Sequence, residues 1–471
     1  VGFAFAGGQG EAAASGEPVE VQIWLPGGAQ DDQATVNAAA AEYAGPKIGV
    51  VPNLQFFGWG EYTDKKQLAI QSGEEMDIVF TASWNNYFQE VQRNAWLPLN
   101  DLIDEHAPAL RDVVGFFLEG PVKDGQIMAV PTVKEGAESG QWIFNAEYVD
   151  KYNIPIDEIE TAEDLAPYVA QVAANEPDII PYLIDGVSEL PNRERVFYDT
   201  VGMGGNWHYY PELGEVKFIW NNDRTWELTD MAREWYLAGY FPPEVEDAGQ
   251  LNVDKYWESG DWFAYSHVGH PGKPGELSGR WEYEIVGTGP VDTPVATTEI
   301  LLGAMFAISR TSQHPVESIK LLELMNVDQQ FNNLLNYGVE GTHWNFVDEE
   351  GGVIQTVADT GYSPNMQWAL QNQFNTYLLP SEDPQKWEKY QAFNDSARVS
   401  PIIGFTADQT PVRTQLASIQ NVMDQYDALL KRGLVDPDET REEFMAALEA
   451  AGVKEVEAEI TAQVQAFLAN Q

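Results

Sequence analysis

Three short apolar runs, separated by two helix-like stretches, open this chain and restrict its fold more than any other feature. "VEVQIWL" alternates Val19, Val21, Ile23 and Leu25 against more polar neighbours, the period-two pattern of a strand. Asp31 and Asp32 offer an N-cap to the alanine-rich "QATVNAAAAEYAG", a helix predicted to close at Gly45. "VVPNLQF" reads as a second strand, "EYTDKKQLAIQSG" as a helix ending at Gly73, and "DIVF" as a third strand. Strand–helix–strand–helix–strand implies a mostly parallel sheet with helices on both faces. Directly past the third strand stand Ser83, Trp84, Asn85 and Asn86. Open α/β sheets bind ligands outside the carboxyl ends of their strands, so Trp84 and Asn85 become candidate binding residues.

Further short strands are expected in "MAVP" and "WIF", around residues 128–144, and Thr161 with Asp164 forms a capping box for the helix that follows. Residues 180–287 differ in character, being dense in aromatics: "NWHYYPEL", "FIWNNDRTW", "KYWESGDWFAYSHVGH". The strand signal returns at "ILLGAMFAIS", Ile300 to Ser309, and Pro315 opens another helix. Pro411 starts a C-terminal helix stopped by Gly433; a second ends at Gly452. The last helix carries Val456, Ile460, Val464 and Phe467 on one face, which requires a docking partner within the fold. With 471 residues the chain is long enough for two or three domains.

Charge removes whole function classes. The chain has 74 Asp+Glu against 26 Lys+Arg, a formal net charge of −48. Nucleic-acid binding needs a basic footprint and none is visible, and the same field opposes anionic membranes and anionic ligands. Such a surface suits high salt, so a salt-adapted, exported protein is expected. Cysteine is absent, which excludes thiol catalysis, disulfides and cysteine-held metal. No apolar run is long enough to span a membrane as a helix. At the amino terminus Ala4-Phe5-Ala6 fits a signal-cleavage site, with a Gly/Ala/Ser-rich leader after it.

Most apparent catalytic motifs dissolve on inspection. "GMGGNW", Gly202 to Trp207, lacks the Gly-Lys-Ser/Thr of a phosphate loop. His267 and His270 in "HVGH" have metal-like spacing, but glycine and proline follow and no zincin pattern is present, so loop histidines bonding substrate or backbone are expected. "DPDET", Asp436 to Thr440, is better explained as helix capping than as a calcium loop. No nucleophile elbow supports serine chemistry. Paired carboxylates carry no specificity in so acidic a chain. What stands out is 15 Trp set among Asn, His and Tyr. Indole faces stack on the C–H faces of sugar rings while amides and imidazoles satisfy hydroxyls, although core packing is the simpler reading for any one tryptophan.

Taken in order, "SGEEMDIVFTASWNNYFQEVQRNAWLPLNDLIDEHAPAL", "DGQIMAVPTVKE", "WIFNAEYVDKYNI", "LLNYGVEGTHW", "GFTADQTPVRTQLASIQNV" and "EEFMAALEAAGVKEVEAEITAQVQAF" resemble the bacterial family 1 extracellular solute-binding proteins of ABC sugar importers. The match is to the lipoprotein-type subfamily with a long C-terminal extension, and it runs from Val19 to about Leu468. Lipid-anchored relatives carry a cysteine at the processing site, which is lacking here.

The resemblance implies an α/β, two-lobe periplasmic-binding-protein fold, a hinged trap with a mostly parallel sheet in each lobe and a helical C-terminal extension. Residues 1–17 would be signal remnant and leader, 18–131 and 288–340 lobe one, and 132–287 with 341–471 lobe two. It implies capture of a neutral oligosaccharide, delivery to permease subunits, a monomer in the periplasm or at the cell surface, and no cofactor or catalysis. Candidate ligand contacts are Trp59, Trp84 and Asn85 from lobe one, and Lys134 and Glu135 near the crossing. Trp142, Asn206, Trp207, His208, Tyr265 and His267 are candidates in lobe two, and Glu340, His343 and Trp344 near the hinge or cleft wall. A secreted glycoside hydrolase and a peptide-binding importer subunit are the competing readings.

Overall fold

The computed structural model describes residues 17–186, 188–193, 199–203, 205–246, 251, 253–358 and 360–471. The expected signal remnant therefore lies outside the described residues except for Glu17. The chain divides into two compact units, one formed by the chain up to Lys134 with Leu302–Pro380, the other by Glu135–Leu301 with Ser381–Gln471.

The first unit is built on the predicted supersecondary pattern. β1 (Val19–Pro26), α1 (Gln33–Ile48), β2 (Val50–Phe57), α2 (Trp59–Ser72) and β3 (Ile78–Thr81) follow one another, and β1 pairs in parallel with both β2 and β3. α1 continues through Gly45 and Pro46. It ends at Gly49, whose φ of 72° suits a residue without a Cβ and whose N–H reaches the Gly45 carbonyl. β4 (Val130–Pro131) and β5 (Met305–Ile308) complete the sheet in the order β2-β1-β3-β5-β4. β5 runs antiparallel to β3 and to β4, so the sheet is mixed beyond its parallel start. Only four residues of the long apolar run at 300–309 form strand, because Thr298–Leu301 turns helical first. α3 (Pro315–Val327) and α4 (Gln329–Tyr337) follow, with their inner faces buried.

Residues 341–380 also belong to this first unit, so the boundary expected at 341 lies instead after Pro380. The reason is local pairing. The hairpin Trp344–Asp348/Val353–Thr356 buries Trp344 and Ile354 with Tyr337 of α4, and buried amides tie the following segment to α3 and α4. Asn332 Nδ2 donates to the Leu370 carbonyl (3.0 Å), Asn372 Nδ2 to that of Asn326 (3.1 Å) and Asn333 Nδ2 to that of Asn375 (2.8 Å).

The second unit holds a four-stranded mixed sheet in the order Ile285–Gly287, Ser139–Asn145, Trp262–Gly269, Ile180–Tyr182, in which only the last pair is parallel. Its C-terminal helices Arg413–Lys431, Pro437–Ala451 and Val453–Leu468 close over the hairpin Trp207–Tyr210/Glu215–Phe218. Val456, Ile460 and Val464 are fully buried there, as the helix periodicity required. The capping box of Thr161 and Asp164 is present, and Asp436 caps its helix by accepting from the Asp438 N–H.

Two buried acids of this unit set a pH dependence. Desolvation pushes the Glu189 carboxyl up to about 7, against the pull of Lys431 and Arg432, and the Asp199 carboxyl up to about 6. A raised folded-state value means that the native state holds the proton more tightly than the unfolded chain. The stabilising contribution is therefore full at acid pH and is lost as pH rises through about 6 and 7. Melting should occur at higher temperature at pH 5.5 than at pH 8, and Glu189→Gln should flatten that difference. A midpoint that rises steadily from pH 5.5 to 8 would contradict this.

Candidate functional site

In the sheet of the first unit β1 lies between β2 and β3, so the crossovers from β1 to β2 and from β2 to β3 depart on opposite sides. The carboxyl ends of β1 and β3 flank this switch point, the position where open α/β sheets take their ligands. Trp59 is the first residue of α2, immediately after β2, and Trp84 lies in the short turn Ser83–Asn85 after β3. Both strand ends thus deliver a tryptophan to the same edge.

The two indoles meet, and a third joins them. Ring centroids are 6.2 Å apart for Trp59 and Trp84, 6.1 Å for Trp59 and Trp368, and 6.2 Å for Trp84 and Trp368. Phe80, the penultimate residue of β3, lies beneath, 5.8 Å from Trp84 and 5.7 Å from Trp368. Despite this mutual packing Trp59 is 52% and Trp84 51% exposed, which is unusual for so large an apolar side chain. Trp84 is also fixed in orientation, since its Nε1–H donates to the Gly303 carbonyl (2.8 Å) and the Ser83 N–H to that of Leu302. The surface is a rigid, solvent-facing set of indole faces that can stack on flat apolar groups without prior ordering.

Asn85 turns inward from this surface. It is 8% exposed; its Oδ1 accepts from Lys66 Nζ (2.5 Å) and its Nδ2 donates to Thr63 Oγ1 (2.8 Å). Its amide thus supports the turn that presents Trp84.

The remaining candidates are dispersed. Lys134 ends the first unit and Glu135 begins the second, both half-buried. Trp142 is core in the second unit, its Nε1–H held by the Glu160 carbonyl at 3.1 Å. Trp207 packs on Phe218 with centroids 4.7 Å apart, and His208 is buried with Nε2 donating to the Gly205 carbonyl at 2.9 Å. Asn206, half-buried, accepts the Ile219 N–H on its backbone carbonyl. Tyr265 is buried and donates to Asp185 Oδ2 (2.9 Å). His267 sits within the strand Trp262–Gly269 rather than in a loop, its Nδ1 donating to the Val268 carbonyl.

His343 is fully buried. Its Nδ1 accepts from the Val339 N–H (2.8 Å), which leaves the proton on Nε2, 3.4 Å from Asp32 Oδ2. Asp32 stands at the N-cap of α1 without a side-chain capping bond. Trp344 is core, its Nε1–H on the Gly338 carbonyl at 2.9 Å, and Glu340 is exposed at the rim of a separate groove that includes Tyr43, Phe346 and Tyr377. Trp142, Trp207, His208 and Trp344 thus serve packing, because strand pairing buries side chains whose Gly, Asn and His neighbours had suggested open loops. Trp368 went unrecognised, since "NMQWAL" carries neither strand alternation nor a turn signal.

Two α/β units, one presenting a tryptophan surface at its sheet switch point, are the architecture of a solute-binding protein. Comparison agrees. The chain is 26% identical over 471 residues, 99% of its length and 94% of the relative's, to a carbohydrate ABC transporter substrate-binding protein of Streptococcus pneumoniae serotype 4 (strain ATCC BAA-334 / TIGR4). Its structure is similar to that of the N-glycan transport solute binding protein NgtS from S. pneumoniae, with a TM-score of 0.86 at 25% identity over 96% of this chain and 99% of the other. The same protein in complex with Man5GlcNAc gives a TM-score of 0.76 at 25% identity, again over 96% and 99% of the two chains. Residues 401–469 match a domain of unknown function, DUF3502. Over nearly its whole length the chain is thus similar to carbohydrate-binding solute-binding proteins of ABC transporters.

Proposed function

We propose that this protein captures a neutral oligosaccharide outside the cell and delivers it to the permease of an ABC importer, without chemical change to the ligand. The observation that carries this reading is the mutually braced trio of Trp59, Trp84 and Trp368, in which Trp59 and Trp84, at the strand ends, are half-exposed. The sugar-binding relatives support it, and the net charge of −48 disfavours an anionic ligand. Ligand contacts from two lobes favour a closed state, and such proteins are recognised by their permease in that state. A monomer suffices for this role.

A thermal-shift screen over neutral mono- and oligosaccharides, uronate-containing glycans and short peptides tests the proposal. Ligands that bind only the native state raise its melting temperature. Neutral oligosaccharides should stabilise most; stabilisation by peptides or uronates alone would overturn the reading. Repeating the ligand-free melt in low and in molar sodium chloride reads the salt adaptation, since weak screening leaves the negative charges repelling one another. A midpoint that rises with salt is expected, and an unchanged one would contradict adaptation.

A further inference from the structure

α2 presents Trp59, Thr63, Lys66 and Gln67 at i, i+4, i+7 and i+8, one continuous face of a helix. Trp59 belongs to the indole surface, whereas the other three reach toward the segment that begins with β3 and carries Trp84. Lys66 Nζ lies 2.7 Å from Glu90 Oε1, 2.8 Å from the Asn85 carbonyl and 2.5 Å from Asn85 Oδ1. Those are three acceptors for the three N–H bonds of an ammonium group. Glu90 Oε1 also accepts from Gln67 Nε2 and Oε2 accepts from Thr81 Oγ1, both at 2.7 Å, so every contact of the carboxyl group is an accepted hydrogen bond. The hydrogen-bond geometry fits a charged pair, and both side chains are fully buried. Burial alone pulls the lysine down and pushes the glutamate up, and each partner opposes the other's neutralisation.

A buried ion pair is a weak source of stability compared with apolar residues of similar volume. Its distinctive property is directional: it fixes two backbones in one relation. Here it joins the helix that begins with Trp59 to the turn that carries Trp84, and the Asn85–Thr63 hydrogen bond is a second strut between the same elements. We propose that Lys66 is a positioning residue of the ligand surface, holding Trp59 and Trp84 at their stacking separation through Asn85 and Glu90. The role in binding rests on the oligosaccharide reading above; the geometric role does not.

The test uses Lys66→Met/Glu90→Gln, which removes both charges while the amide keeps partners in Thr81 and Gln67. Two readouts are needed. The first is the near-ultraviolet circular dichroism that arises from the trio, defined as the difference between the parent and Trp84→Phe. The second is affinity for Man5GlcNAc by calorimetric titration. The double variant should melt cooperatively, lose most of the difference signal and bind Man5GlcNAc at least about 10-fold more weakly. A cooperatively folded double variant that keeps the parent's difference signal would overturn the proposal, as would one that loses the signal yet binds as the parent does. Should the double variant not fold, Lys66→Gln, which removes the ammonium group while keeping a hydrogen-bonding side chain at the same position, takes its place with the same two outcomes. If the parent itself does not bind Man5GlcNAc, that result counts against this sugar as ligand, and the dichroism still decides whether Lys66 positions the trio.

Discussion

Trp84→Ala should weaken oligosaccharide binding about 10- to 100-fold while leaving the protein folded. Stacking of an aromatic ring is worth roughly 0.5–1.5 kcal/mol beyond the area it buries, and the exposed half of this indole adds its own apolar area. Together these reach the scale of about 1.4–2.8 kcal/mol to which such a change in affinity corresponds. Stability should fall by only about 1–2 kcal/mol, because the side chain is half-exposed and gives up one hydrogen bond, to Gly303, and its ring contacts with Phe80, Trp59 and Trp368. Titration calorimetry and denaturant unfolding on the same variant separate the two effects. Intact affinity with a collapse in stability would show that Trp84 is core.

Trp207→Ala should do the reverse. Trp207 lies in the hairpin covered by the C-terminal helices, buried against Phe218, and its removal leaves a cavity that neighbouring strands and helices cannot close. A loss of about 3–5 kcal/mol is expected, with the surviving folded molecules binding sugar as the parent does. Severe loss of affinity at unchanged stability would place Trp207 in the ligand surface and contradict its assignment to the core. Two tryptophans that both stand beside asparagine in the sequence would then behave as opposites for a reason that only tertiary structure supplies.

That contrast marks how far the sequence can be read. Alternation in "VEVQIWL" and the helix between Asp32 and Gly49 specify a strand and a crossover locally, so the βαβαβ start was legible and with it the strand end at Trp84. The face of Val456, Ile460 and Val464 was legible for the same reason, since a helical stripe must be buried somewhere. Whether an individual polar or aromatic residue faces solvent depends on which strand pairs with it. His208 and Trp207 look like loop residues until the hairpin to Glu215–Phe218 buries them, and Asn85 looks like a ligand contact until Lys66 and Thr63 engage both ends of its amide. Trp368 joins Trp59 and Trp84 only through the packing of a segment far along the chain, held by the amides of α3 and α4. No local periodicity encodes that. The boundary after Pro380 escaped for a similar reason, because the hairpin at Trp344 returns the chain to the first unit.

The central claim is that an aromatic surface binds a neutral oligosaccharide and leaves it intact. Calorimetric titration of the full chain with Man5GlcNAc and a panel of other neutral glycans, followed by mass analysis of the recovered sugar, tests it most directly. Saturable binding of at least one glycan, sharply weakened by Trp84→Ala and with the sugar recovered unchanged, is the predicted result. New reducing ends in the recovered sugar, or no heat of binding with any neutral glycan, would contradict it.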